Sequence, residues 1–364
     1  MSAGSLGAAV PGGSPGGSSG EVPGGSSGEV PGGAVRVGVR CDAGARSGVG
    51  HLVRCVALAE ELVTRGVEVV FLGEVRDSPW ARAQLDGRGL PLVPAPGEPA
   101  GLAALARELA LDAVVLDSYA LPQDTGATLR AAGLPVLAII DGDPLGQEAD
   151  LYLDQNLGAE RRPFTLPGRR LAGARYVLLR DSVRARTRPP REPGPPRVLC
   201  FFGGTDSAGV APRWADALNA TGLPFSGTVV SPAPFDAGSI AVIPPTDRLP
   251  ELMAAADLVV TAAGSAVWEL LHLGVPTALT WVADNQLIGY EELVGLGAAA
   301  PLGPSPCGEA TGVLARLLAD PAARDELGGR GRGLVDGKGR ERVADALLAL
   351  LPKRRLLLKP RIQP

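Results

Sequence analysis

From residue 35 onward the chain alternates short apolar runs with longer stretches of helical period. Residues 35–40, 67–72, 113–117, 135–141 and 149–154 read as buried strands, with helices predicted over 51–65 and 102–109. In the first helix, Leu52, Val53, Val56, Ala59, Leu62 and Val63 fall on one face. The pattern breaks at 186–196, which is rich in proline and arginine, and then restarts. Strands are predicted at 197–202, 227–231, 239–243, 257–261 and 276–281. Helices are predicted at 214–220, 250–256, 265–273, 286–296 and 340–351. Strands alternating with helices imply parallel βαβ units with helices on both faces. The expected class is α/β, with two Rossmann-like parallel-sheet domains over 34–185 and 197–351 and a linker between them. In such sheets ligands bind at the carboxyl ends of strands, so two facing edges predict a cleft between the domains.

The ends of the chain follow other rules. The octapeptide Gly-Gly-Ser-Ser-Gly-Glu-Val-Pro occurs at 16–23 and again at 24–31. That composition cannot bury enough apolar surface to offset its ordering entropy, so 1–33 is expected to be a disordered tail. Residues 352–364 form a basic tail. The first charge is Glu21 and no apolar core precedes it, which argues against a secretory signal.

Composition narrows the function. Apolar residues make up 45% of the chain and the net charge is −4, so a globular protein is expected and a nucleic-acid partner is not. No apolar run approaches the ~18 residues of a membrane span. Cys41, Cys55, Cys200 and Cys307 are scattered with no CxxC pair, so neither a disulfide framework nor a zinc site is expected. Together these features predict a cytoplasmic protein.

Candidate chemistry gathers at strand ends. Gly48 and Gly50 lie in the first strand-to-helix connection, where backbone N–H groups can face a phosphate. The loop meets neither the dinucleotide fingerprint nor a Walker pattern. His51 starts the next helix, whose positive end disfavours imidazolium and suits a proton acceptor. A capping or loop-filling histidine is the plainer alternative. His272, inside an apolar helix, reads as a packing residue. In the second domain, Gly203-Gly204-Thr205-Asp206 and Gly264-Ser265 offer donors for a diphosphate. Glu269 lies on the same helix face as Ser265 and suits ribose hydroxyls, unless it is a solvated helix charge. The amides of Asn285 and Gln286 can donate and accept, or simply form a capped turn. Asp141-Gly142-Asp143 has the DxD form of divalent-metal sites, but Asp-Gly and Asp-Pro steps are ordinary turn formers, and no metal or other cofactor is expected.

Several of these residues occur in an order that resembles the UDP-sugar hydrolases of pseudaminic acid biosynthesis and the related spore-coat polysaccharide proteins. The likeness runs from about Val35 to Gly297. It rests on Arg40-Cys41-Asp42, Gly48-Val49-Gly50-His51 with Arg54, Asp117-Ser118-Tyr119, Asp141, and Asp154-Gln155-Asn156. It continues through Gly173 to Arg180, Gly203 to Asp206, Gly264-Ser265 with Glu269, and Asn285-Gln286. The resemblance implies a GT-B architecture, with UDP on the second domain and the sugar facing the first. It implies His51 as catalytic base, with Tyr119 and Asn285 beside the reacting sugar. It implies metal-free hydrolysis of UDP-2,4-diacetamido-2,4,6-trideoxy-β-L-altrose. Arg40, Asp42, Gly48, Gly50, Arg54, Asp117, Gly203, Gly204, Thr205, Asp206, Gly264, Ser265, Glu269 and Gln286 are then expected to bind substrate. Gly264 departs from the family, where a second serine is frequent, and neither tail has a family counterpart.

The resulting expectation is a nucleotide-sugar hydrolase in which water, deprotonated by His51, attacks C1 with inversion. A glycosyltransferase on the same scaffold needs nearly the same residues, because water and an alcohol need the same base. A non-catalytic nucleotide-sugar binder is the third reading.

Overall fold

The computed structural model describes residues 34–44, 48–191 and 193–352. The expected tail over 1–33 and all but the first residue of the basic stretch 352–364 lie outside the described residues. The first half is built on a seven-stranded sheet. In chain order its strands are β1 (Arg36–Cys41), β2 (Glu68–Leu72), β3 (Leu92–Val93), β4 (Ala113–Asp117), β5 (Val136–Ile139), β6 (Leu151–Asp154) and β7 (Arg169–Ala172). Their spatial order is 3-2-1-4-5-6-7 and every pairing is parallel. The second half repeats the plan in six strands. These are β8 (Arg197–Phe201), β9 (Ser226–Val230), β10 (Ala241–Ile243), β11 (Leu258–Ala262), β12 (Thr277–Thr280) and β13 (Ala300–Gly303), in the order 10-9-8-11-12-13, again all parallel. Each sheet reverses direction beside its first strand, and that reversal opens a crevice for ligands at the carboxyl edge.

The apolar runs form strands because both faces of each sheet are covered. Ala113–Asp117, Val136–Ile139 and Leu258–Ala262 are buried at every position. Helices α1 (Gly50–Thr64), α2 (Pro79–Asp86), α3 (Pro99–Glu108) and α4 (Thr125–Ala131) serve the first half. The short helix α5 (Asp181–Arg184) packs through Val183 into the core of the second half. The second half carries α6 (Ala211–Asn219), α7 (Leu249–Ala255), α8 (Ala266–Leu273), α9 (Leu287–Gly295), α10 (Gly308–Ala319) and α11 (Pro321–Gly331). Local chemistry fixes several starts. Ser78 accepts the Ala81 N–H ahead of Pro79, and Asp320 accepts the Ala322 and Ala323 N–H groups ahead of Pro321.

Helix α12 (Gly339–Leu348) follows the second half in sequence but packs in the core of the first. Val343, Ala344 and Leu347 are buried there with Leu58 and Leu62 of α1. Arg340 on the same helix bonds Glu60 of α1 at 3.1 Å and Asp181 at 2.5 Å. Val183 is already buried with Leu199, Phe201 and Leu270 of the second half, so the chain crosses between the halves ahead of that residue, earlier than the expected linker over 186–196, and crosses back before α12. Among the described residues no helix is long and apolar enough to cross a membrane.

Candidate active site

The carboxyl edges of the two sheets line one cleft of about 880 Å³, within the range of small-molecule sites. Gly48, Gly50 and His51 enter it after β1, and Tyr119 after β4. Asp141 and Asn156 follow β5 and β6. The second half supplies Gly203, Gly204 and Thr205 after β8, Gly264, Ser265 and Glu269 after β11, and Asn285 and Gln286 after β12. Gly48 has a φ of +77°, which glycine adopts without strain. At Gly204 a Cβ would lie 2.5 Å from Val49 Cγ2, so the glycine lets the two turns meet.

A charged cluster supports the histidine. His51 Nδ1 lies 2.5 Å from Asp117 Oδ1. The carboxylate accepts, so this geometry assigns the hydrogen to Nδ1 and leaves Nε2 for the cleft. Arg54, one turn along α1, donates from Nε and Nη2 to Asp117 at 2.7 and 2.6 Å. Its Nη1 reaches both oxygens of Asp141 at 3.1 and 3.0 Å. Asp141 also accepts from Tyr119 Oη and from Asn156 Nδ2. Tyr119 stacks edge-on against His51 with centroids 4.6 Å apart, and its hydroxyl accepts from Asn285 Nδ2 of the other half at 3.1 Å.

The electrostatics follow from burial and pairing. Burial opposes the charge on Asp117, but Arg54 and His51 outweigh it and hold the carboxyl well below the usual range. Asp141 is lowered against the same opposition by Arg54, Tyr119 and Asn156. Burial likewise opposes the Arg54 charge, yet Asp117 and Asp141 keep its guanidinium above its ordinary value. Burial and the Asp141 carboxylate push the Tyr119 phenol up.

Across the cleft, Glu269 is buried and gripped by Arg180. Nε and Nη2 of Arg180 lie 3.0 and 2.9 Å from Oε1, and Nη2 lies 3.0 Å from Oε2. Glu269 is therefore not a solvated helix charge. Gln286 Oε1 accepts the Val282 N–H at 3.0 Å, which braces the 282–286 loop.

Four residues expected at the substrate do not line the cleft. Arg40 pairs with Asp42 at 2.7 Å, and Asp42 accepts the Glu74 N–H at 3.0 Å, so this pair ties two loops together. Asp206 accepts the Val210 and Ala211 N–H groups at 3.0 and 3.1 Å and so starts α6. Asp117 lies wholly buried behind His51. His272, read as a packing residue, lies within 3.1 Å of the Val335 carbonyl oxygen through Nδ1.

Arg180, Asn156 and Trp80 line the cleft but had no assigned role. Asn156 stands two residues past the end of β6, a position at which the strand-end rule would have flagged it. Arg180 and Trp80 follow no strand end directly and carried no such signal. The Asp-Gly-Asp stretch is engaged by protein groups. Asp141 faces Arg54, Tyr119 and Asn156, and Asp143 Oδ1 accepts the Leu145 N–H at 2.8 Å. Among the described residues no cluster of three His, Cys, Asp or Glu side chains is arranged to hold a metal.

No family model matches the chain. An uncharacterized protein of Methanocaldococcus jannaschii is 20% identical over 287 residues, which are 71% of this chain and 58% of that protein. This chain thus spans less than two thirds of the relative's length. Among solved structures, Acinetobacter baumannii MurG has a TM-score of 0.61 at 19% identity, over 86% of this chain and 99% of that one. The spinosyn forosaminyltransferase SpnP gives 0.62 at 18%, over 86% and 99%. Phytolacca americana UGT2, solved with UDP-2-fluoro-glucose and pterostilbene, gives 0.61 at 14%, over 87% and 98%. At such identities the likeness establishes the fold. The two Rossmann-like domains have the GT-B arrangement of glycosyltransferases.

Proposed function

We propose that this chain cleaves the bond between C1 of a sugar and the diphosphate of a nucleotide, delivering the sugar to an oxygen nucleophile. One observation carries the reading. The His51–Asp117 pair faces two glycine-rich turns across a single cleft, so a base stands opposite a set of diphosphate donors. His51 Nε2 takes the proton of the nucleophile, whose oxygen forms a bond to C1 from the face opposite the leaving group. The C1–O bond breaks, its electron pair leaves on the β-phosphate oxygen, and the sugar inverts. Asp117 fixes the ring and its tautomer, and Arg54 fixes Asp117. Backbone N–H groups at 203–205 and that of Ser265 meet the charge developing on the diphosphate, as preorganised donors do, whereas the Gly264 N–H is taken by the Ala262 carbonyl at 2.8 Å. Glu269, aligned by Arg180, accepts the ribose hydroxyls. Tyr119 and Asn285 meet over the sugar.

The nucleophile is an acceptor alcohol. The structural relatives named as transferases support that choice over water, against the weight that the ordered motifs give to hydrolysis. Water is the second reading, favoured by those motifs from Arg40 to Gln286. Incubation with a panel of UDP-sugars, with and without acceptor alcohols, separates the two. Transfer predicts nucleotide release that rises with acceptor and a new glycoside. Release at one rate regardless of acceptor supports hydrolysis. His51→Asn is expected to lower either activity about 10²–10⁴-fold while UDP still binds. Near-normal turnover by that variant would remove His51 from the mechanism.

A further inference from the structure

Strand order gives the cleft an axis. At one end the connections after β4 and β12 bring Tyr119 to Asn285, with Nδ2 3.1 Å from the hydroxyl. At the other end α2, which follows β2, meets the loop after β10. There Asp247 Oδ1 accepts from Trp80 Nε1 at 2.9 Å and from the buried Gln84 Nε2 at 2.6 Å. His51 and the glycine-rich turns lie between these ends. On the function proposed above, on which this inference rests, C1 of the sugar lies at His51 and Tyr119. The diphosphate then lies at the turns, and the nucleoside must run toward Trp80. The floor there is apolar, made by Phe202, Val230, Pro245 and Leu249. A flat, weakly polar ring suits that floor, and an indole suits the ring.

We infer that Trp80 completes the nucleobase subsite from the first half of the chain, closing over a base whose other wall belongs to the second half. Asp247 and Gln84 act as its positioning residues. Two donors converging on one carboxylate oxygen fix the indole edge, so the ring meets the base without first being ordered. Trp80 is half-buried against the core of the first half and lines the cleft, so it is anchored on one side and available on the other.

The test is UDP titration of the full chain by calorimetry and by tryptophan fluorescence. Trp80→Ala is expected to raise the UDP Kd about tenfold or more, as loss of base–aromatic stacking does. The loss should fall on KM for the nucleotide sugar more than on kcat, because the inference gives Trp80 a contact with the base and none with the reacting atoms. Trp80→Phe keeps a stacking ring and guards against a folding defect. It should retain most of the affinity yet lose most of the fluorescence change that UDP causes in the unaltered chain. A Trp80→Ala Kd within twofold of normal, or an undiminished fluorescence change in Trp80→Phe, overturns the inference and leaves the proposed reaction standing. Failure of the unaltered chain to bind any of UDP, CDP, dTDP, ADP or GDP overturns both.

Discussion

Arg54→Met tests whether one guanidinium holds together the buried charged cluster behind His51. Arg54 donates twice to Asp117, at 2.7 and 2.6 Å, and through Nη1 to both oxygens of Asp141 at 3.1 and 3.0 Å. Methionine keeps the packing of the stem and removes every one of those bonds. Breaking a buried pair by removing one partner costs about 3–5 kcal/mol, since the other charge is left uncompensated. Asp117 would keep His51 and the Cys55 thiol, and Asp141 would keep Tyr119 and Asn156. Those residual partners put the expected loss near the lower bound, about 3 kcal/mol at neutral pH.

The pH dependence gives the sharper reading. Both carboxyls are held below their ordinary values in the folded protein. A depressed carboxyl contributes stability that is fully present above its unfolded value of about 4 and is lost as pH falls through the folded value. Between pH 7.5 and 5.5 these two groups therefore leave the stability of the normal protein unchanged. Without Arg54, two neighbouring buried carboxyls raise each other, and one takes up a proton well above pH 4. As pH falls, the folded variant then binds a proton that its unfolded chain does not. The variant should gain stability over the interval in which these groups of the normal protein do not, by up to about 1.4 kcal/mol per pH unit for that one proton. Urea unfolding midpoints at pH 7.5 and 5.5 measure the gap between the two proteins. A gap below about 1 kcal/mol at pH 7.5, or one that does not narrow by pH 5.5, would refute the reasoning.

Two further substitutions divide binding from architecture. Glu269→Ala should weaken UDP about ten- to hundredfold in a calorimetric titration, the loss of charge-assisted hydrogen bonds to ribose; an unchanged Kd would leave Glu269 as no more than the partner of Arg180. Asp206→Ala should lower stability by about 1 kcal/mol through the lost helix start and leave the UDP Kd within twofold; a large loss of affinity would bring that carboxylate back to the ligand.

The architecture was legible because its signal is local. Runs such as 113–117 and 197–202 stand out through period alone, and the structure places strands at Ala113–Asp117 and Arg197–Phe201. Leu92–Val93 and Ala300–Gly303 escaped because a two-residue strand has no period and Ala300–Gly303 carries a proline and a glycine. The helices Gly308–Ala319 and Pro321–Gly331 escaped as well, the second because its glycines dilute the apolar stripe. Sequence order placed α12 with the second half, since nothing in its apolar face says which core receives it. The same limit applies to charge. Arg40, Arg54 and Arg180 are chemically alike in the sequence. Only the fold sends the first to Asp42, the second to two carboxylates behind His51, and the third across the cleft to Glu269.

That distribution bears on how the proposed reaction manages charge. With a neutral imidazole, Asp117, Asp141 and Arg54 leave the base side with one net negative charge. Uptake of the nucleophile's proton by His51 brings that side to neutrality, so deprotonation relieves a local imbalance. On the leaving side Arg180 and Glu269 cancel each other. The negative charge that grows on the diphosphate oxygen must then be met mainly by dipoles: the N–H groups of 203–205 and of Ser265 and the start of α8 (Ala266–Leu273). Dipoles fixed in a cleft need no reorganisation as the bond breaks and are less screened than exposed cations. Diphosphate chemistry on these terms requires no basic cluster. An acidic chain with a net charge of −4 can therefore host it, although its composition gives no hint of a phosphate ligand.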